Sequence, residues 1–258
     1  MSLPIIVSNR IVKLTGNIIK GIGYIFHFVF PNKRFSIPLH RPPLKHSSKY
    51  QEIPRIFWQT NYSNSVSFPM YVNYLWNRLM SLEYEYRYAS DAAILEFFKQ
   101  YASEEEQEAY KKLNDGAAKA DFWRLTVLYH LGGVYLDIDA SFVWPLSKQI
   151  KSDDREVFLL NKQHYTNYFM ATAPNNAIYK KAIHIVVDNI QNKKTSGGAY
   201  ALTGPNVVNL AIGKDKVTNR FYRYVCVQGA FTNEHFHYID KKQGKWIHTK
   251  DDELLKEK

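Results

Sequence analysis

The order of elements along this 258-residue chain predicts an α/β domain with a largely parallel central sheet. Three observations carry the prediction. A short apolar run, Ile53 to Trp58, reads as an opening strand. A capped helix, Ala117 to Leu131, leads directly into a second apolar strand that ends in two carboxylates. Further strand and helix patterns then alternate toward the C terminus, as in a sheet built by crossover connections. With 45% apolar residues the chain has ample core for one large α/β domain or two small ones.

The first fifty residues stand apart by charge. They hold Arg10, Lys13, Lys20, Lys33, Arg34, Arg41, Lys45 and Lys49 and no Asp or Glu, which is +8 of the chain's net +10. The remainder is therefore nearly neutral, and a nucleic-acid-binding face across the whole molecule is not indicated. At helical spacing Ile11, Leu14, Ile18, Ile22, Ile25 and Val29 form one stripe, with Arg10, Lys13, Asn17, Lys20 and His27 opposite. A basic amphipathic segment of this kind lies on an anionic membrane surface, or else packs on the protein's own body. Its uncharged run, Gly21 to Phe30, is too short to span a bilayer. Pro31-Asn32-Lys33-Arg34 follows it where a signal peptide would place a small-residue cleavage site.

Arg41-Pro42-Pro43 through Ser47-Ser48 reads as a linker, so residues 1–50 are set apart as segment and linker and 51–250 as the catalytic domain. After the strand at Ile53–Trp58 the pattern gives a helix over Met70–Leu82, a strand over Glu83–Tyr88, and helices over Asp91–Tyr101 and Glu104–Leu113. Ser103-Glu104-Glu105-Glu106 is a capping box, which gives its charge run a structural explanation. Asn114-Asp115 caps the helix Ala117–Leu131, and Gly132-Gly133 stops it. Val157–Leu160 reads as a strand and Asn176–Gln191 as a helix. Gly204-Pro205 opens another helix with Pro in its first turn, and residues 251–258 form a charged tail.

The chemistry concentrates in Leu131-Gly132-Gly133-Val134-Tyr135-Leu136-Asp137-Ile138-Asp139. Side chains alternate along a strand, so Tyr135, Asp137 and Asp139 project one way and Val134, Leu136 and Ile138 the other. Two hard oxygen donors at a strand end suit Mg²⁺ or Mn²⁺, which keeps water or substrate phosphate oxygens as its other ligands. A D-x-D triplet alone recurs by chance on protein surfaces. Upstream, however, Asp121 and Arg124 lie three apart on the preceding helix, either as a surface ion pair or as a carboxylate and guanidinium offered to the same ligand.

These residues carry a family resemblance. Ala120-Asp121-Phe122-Trp123-Arg124, Leu128-Tyr129, the glycine pair with its D-x-D, and Pro145-Leu146 resemble the signature of glycosyltransferase family 32, and more distantly the glucosylating domains of clostridial toxins. Ile53-Pro54-Arg55-Ile56-Phe57-Trp58-Gln59-Thr60 is similar to that family's first strand; Asn167-Tyr168-Phe169-Met170-Ala171 and Thr203-Gly204-Pro205 match weaker positions. The resemblance implies a GT-A fold, a Rossmann-like sheet with the D-x-D at its ligand-binding edge. It implies a UDP- or GDP-linked sugar donor, a saccharide or glycolipid acceptor in capsule or lipopolysaccharide synthesis, and retention of anomeric configuration. Trp58 would stack on the base, with Gln59, Tyr135 and Asn167 near the donor. Asp121 and Arg124 would hold sugar hydroxyls, Asp137 would contact ribose, sugar or metal-bound water, and Asp139 would ligate the metal. The family often places a His shortly before a Ser-Trp pair as a further ligand. Here His235-Phe236-His237 precedes Lys245-Trp246 at a longer spacing and without the Ser, so the stretch offers either a further metal ligand, His237 or His235, or a surface-loop histidine.

Two other readings share the motif. Leu136-Asp137-Ile138-Asp139-Ala140-Ser141 also resembles the nucleophile loop of haloacid-dehalogenase-type phosphatases, although that loop usually opens its domain and Asp153-Asp154 follow too closely. A non-catalytic membrane-surface protein would use the basic segment alone. The single Cys226 makes no internal disulfide, which fits a cytoplasmic setting or the inner face of the plasma membrane.

Overall fold

The computed structural model describes residues 3–241 and 249–256. The chain opens with α1 (Leu3–Val29), followed by the short strands β1 (Phe35–Ser36) and β2 (His40–Arg41). The body begins with β3 (Ile56–Thr60), β4 (Ser65–Val66), α2 (Phe68–Met80) and β5 (Glu85–Ala89). Next come α3 (Asp91–Tyr101), α4 (Glu104–Lys112), α5 (Gly116–Leu131), β6 (Gly133–Leu136), β7 (Ala140–Phe142) and α6 (Leu146–Gln149). Then follow β8 (Glu156–Asn161), β9 (His164–Thr172), α7 (Ala177–Gln191), α8 (Gly198–Leu202) and α9 (Pro205–Ile212). The remaining elements are β10 (Asn219–Phe221), α10 (Tyr222–Val225), β11 (Cys226–Gln228) and α11 (Glu234–His237).

Seven strands form the main sheet in the order β10-β8-β9-β6-β3-β5-β2. β3, β5, β6, β8 and β10 run one way, and β9 and β2 run against them. The expected common direction thus holds for five strands, with antiparallel β9 inserted beside β6. Helices cover both faces. Trp58, Tyr135, Phe158 and Met170 pack among α3, α4, α5, α7 and α9. Their sequence neighbours Phe57, Val134, Leu136 and Leu159 pack with α2 on the other face. That division is the period-two alternation of strands, and it leaves both faces dry.

Local chemistry accounts for the helices that the sequence predicts. The Asp115 carboxylate accepts from Ala118 N at 2.8 Å and caps α5, and the Ser103–Glu106 capping box opens α4. Gly132 and Gly133 end α5 at φ +65° and +103°, a region that only glycine enters freely. A Cβ on Gly133 would also lie 2.7 Å from the Ile56 carbonyl, so this pair permits close packing of β6 on β3.

α1 is a continuous helix docked on the body through Val12, Gly16 and Gly23. A Cβ at Gly16 would collide with the Ala230 carbonyl, and one at Gly23 with the Pro69 ring. Its predicted apolar stripe faces the other way: Ile11, Leu14, Ile18, Ile22, Ile25 and Val29 are between 46% and 69% exposed. After α1, β1 pairs with β4 and β2 joins the edge of the main sheet at β5. No described helix is long and apolar enough to cross a membrane.

Candidate active site

The acid pair sits where β6 ends. β6 stops at Leu136, and Asp137 N donates to the Tyr168 carbonyl of β9 at 2.8 Å. The chain then turns, closed by Ala140 N on the Asp137 carbonyl at 3.0 Å, and continues as β7. Asp137 and Asp139 are half-buried while Ile138 between them is buried, so the alternation expected for the triplet survives the turn.

Asn73 and Asn77, one turn apart on α2, hold this turn from behind. Asn73 Nδ2 donates to the carbonyls of Ile138 (2.8 Å) and Ala140 (3.0 Å). Asn77 Nδ2 donates to Ala140 O at 2.8 Å, and its Oδ1 accepts from Phe142 N at 2.9 Å. Buried Gln59 reaches the Leu136 and Asp137 carbonyls at 3.3 and 3.4 Å and takes the Tyr86 hydroxyl on its own oxygen. On the open side β11 pairs with β7, which brings Gln228 Nε2 to 3.3 Å from Asp137 Oδ2 and lets Gly229 N donate to the Asp139 carbonyl.

Arg124 is the centre of the charge network. Its Nη2 lies 3.1 Å from Asp121 Oδ1 and 3.0 Å from Asp137 Oδ1, its Nη1 donates to the Asn167 carbonyl, and its guanidinium stacks 4.4 Å from the Tyr135 ring centroid. Asp121 also accepts from Asn167 Nδ2 at 2.9 Å and Thr203 Oγ1 at 3.3 Å. The Tyr135 hydroxyl donates to Asp137 at 2.9 Å. Burial pushes Asp121 and Asp137 up to about 6, with Arg124 pulling against it. Burial also works against the Arg124 charge, but Asp137, Tyr135 and Asp121 outweigh it and hold the guanidinium above its ordinary range.

Asp121, Arg124, Tyr135, Asp137 and Asn167, predicted from separate stretches, therefore meet in one network, with Gln59 supporting its backbone. Two residues of the expected site stand outside this network. Trp58 is only 6% exposed: its indole N–H donates to the Gly132 carbonyl at 2.9 Å, its ring meets Trp123 edge-on, and the Arg87 guanidinium lies 5.3 Å from its ring centroid. His237 lies against Asn61 Oδ1 at 3.1 Å, and burial pushes its imidazole down to about 4. Among the described residues no three His, Cys, Asp or Glu side chains gather into a cation site. Lys245-Trp246 lies outside the described residues.

Other groups border the site without a strong sequence signal. Tyr62 and Tyr238 stack with centroids 6.0 Å apart and 16° between planes, and the charges of Asp139 and Asp137 reach Tyr238. Asn73 and Asn77 were readable only as two amides at i,i+4 in an otherwise apolar helix. Thr203 lay in a stretch matched to weaker family positions without a role.

The donor set fits a divalent cation: two half-buried carboxylates on one turn are what Mg²⁺ or Mn²⁺ needs when substrate oxygens and water supply the rest.

Comparison with known proteins agrees with this geometry. Residues 69–177 match the family described as "Glycosyltransferase sugar-binding region containing DXD motif". Among solved structures the chain is similar to the PaToxG glycosyltransferase, with a TM-score of 0.54 and 18% identity over 81% of this chain and 80% of that one. A ligand-free glycosyltransferase domain from the YGT toxin aligns with a TM-score of 0.41 and 14% identity over 57% of this chain and 54% of that one. No curated protein matches. The fold is GT-A.

Proposed function

We propose that the chain is a metal-dependent, retaining glycosyltransferase, a reading supported by the match of residues 69–177 to a DXD-containing sugar-binding region. It moves a hexose or N-acetylhexosamine from a UDP- or GDP-linked donor to a saccharide or glycolipid acceptor of a surface glycan such as capsule or lipopolysaccharide. The observation that carries this reading is the Asp121–Arg124–Asp137 network, which fixes one carboxylate of the pair from behind while leaving the turn at the edge of the fold.

Breaking the bond from the anomeric carbon to the β-phosphate builds negative charge on the leaving oxygen. Asp137 and Asp139 would hold Mn²⁺ or Mg²⁺, which acts as a Lewis acid toward that charge when bound. Arg124 keeps Asp137 ionised and oriented, and its charge reaches the same edge from inside the protein. Gln59, Asn73 and Asn77 fix the backbone that carries both carboxylates. Asp121 and Asn167 act on the donor through Arg124, since their polar atoms are engaged with each other. Trp58, with the Arg87 side chain at its ring, would stack on the base, and Tyr62 and Tyr238 border the site. In a retaining reaction the departing phosphate oxygen receives the acceptor proton on the same face, so no side chain is assigned as base. We place the enzyme in the cytoplasm at the inner face of an anionic membrane, supported by the basic first fifty residues and by a Cys226 that is buried and unpaired.

Asp139→Ala and Asp137→Asn test the reading. Each should abolish donor hydrolysis and transfer, and Asp139→Ala should leave the melting temperature close to wild type. Near-normal turnover of Asp139→Ala with EDTA present rules the mechanism out.

A further inference from the structure

The apolar stripe of α1 is left uncovered by the described chain. The helix spends Val12, Gly16 and Gly23 on docking, and two of its buried polar side chains bond to the body: Asn9 Nδ2 donates to the Arg223 carbonyl at 2.7 Å, and His27 Nε2 accepts from Phe68 N at 3.1 Å. The stripe from Ile11 to Val29 has no such partner, and Phe28 at its end is 87% exposed. Contiguous apolar surface of this extent marks an interaction site.

We propose that this stripe lies in the headgroup–acyl boundary of an anionic lipid bilayer and that a basic cavity on its flank takes a lipid phosphate. The inference deepens the proposed function: it takes the acceptor's lipid-surface location from that reading, while the lipid binding stands by itself.

Charge selects the occupant. The first fifty residues carry eight cations and no acid, whereas the rest of the chain is nearly neutral. Two copies meeting stripe to stripe would bring two such segments together, and like charges repel. An anionic bilayer supplies both the apolar depth and the opposite charge. The helix has no window that could span it.

A cavity of about 340 Å³ between α1 and α10 supplies the second observation. Asn9, Arg10, Lys13, Arg223 and Tyr224 line it, giving three cations and no carboxylate. Arg10 lies on the flank of the stripe and Lys13 behind it, so the cavity opens beside the seated helix, from which long basic side chains can reach lipid phosphates. An arginine fork beside a lysine is a phosphate-binding chemistry.

α1 is also coupled to the site. Lys20 Nζ donates to the Gly229 carbonyl at 3.2 Å, and Gly229 N donates to the Asp139 carbonyl at 3.0 Å. One residue, Gly229, thus links the helix to the DXD turn.

The test is sedimentation of the full chain with phosphatidylcholine vesicles, with and without one third phosphatidylglycerol, at low and high salt. We expect binding to the anionic vesicles only, weakened by salt. Ile18→Glu with Ile25→Glu, and separately Arg10→Glu with Lys13→Glu, should each weaken it by about tenfold or more, with melting temperature and donor hydrolysis in the absence of vesicles unchanged. Several results overturn the proposal: wild type left in the supernatant with both vesicles, equal salt-insensitive binding to both, or stripe variants that bind as wild type does. A dimer in light scattering that the stripe substitutions turn into monomers assigns the face to a second copy instead. Charge-reversed protein that binds unchanged removes the cavity from the site. Vesicle binding by a chain that hydrolyses no donor overturns the proposed function and leaves the docking established.

Discussion

Arg124 shows how a residue's setting changes its role. A carboxylate and an arginine three apart on a helix read as a surface pair or as a clamp on a ligand; here both are buried, and Arg124 is shared between Asp121 and Asp137. A buried cation held by two carboxylates is poor evidence for net stabilisation, but removing it strands two charges away from water. Arg124→Ala should therefore lower stability by about 3–5 kcal/mol, besides abolishing turnover, in urea unfolding followed by circular dichroism. Adding Asp121→Asn should restore part of the lost stability and none of the turnover. An Arg124→Ala variant as stable as wild type would instead make the guanidinium a direct donor contact.

At the scale of elements, α2 is the unforeseen contributor. Its Asn73 and Asn77 supply to the DXD turn the backbone bonds that a neighbouring strand would otherwise provide. Asn77→Ala would leave the Phe142 N–H without its partner and remove a donor from the Ala140 carbonyl, at about 1–3 kcal/mol for a buried unsatisfied group. We expect it to lower kcat more than donor affinity, because the turn is displaced rather than removed; unchanged kcat in the folded variant would confine Asn77 to stability. What was legible follows the range of the forces. The helices Asp91–Tyr101, Glu104–Lys112 and Gly116–Leu131 are set by caps, glycines and periodicity, and the sequence placed each to within a residue. β2 and β10 are two and three residues long and exist only through pairing with β5 and β8, so nothing local announces them. The DXD turn was legible as chemistry, whereas Gln59, Thr203 and Gln228 approach it from distant parts of the chain.

For the whole molecule, the question is whether the basic N-terminal region is an appendage or part of the fold. Read by charge, it is a detachable segment ahead of a catalytic domain that begins near residue 51, and every residue of the candidate site does lie beyond it. Its packing argues for integration. α1 covers a cluster of Val143, Val227, Ala230 and Phe231, with Val12 fully buried among them and Trp76 at its edge. Ile37 is fully buried, β2 forms the edge of the main sheet, and Arg34 pairs with Asp240 at 2.6 Å. Lys20 and Gly16 hold the 229–231 loop that supports the Asp139 carbonyl. A chain starting at Lys49 would expose this cluster to water at roughly 25 cal/mol per Å² of apolar surface, and would also unpair the edge of β5. We expect that chain to melt well below the full-length protein, to aggregate on size exclusion, and to lose donor hydrolysis even though it retains Asp121, Arg124, Asp137 and Asp139. If the chain from Lys49 instead stays monomeric with full hydrolysis, α1 is an appended module and its contacts with the 229–231 loop have no part in holding the acid pair.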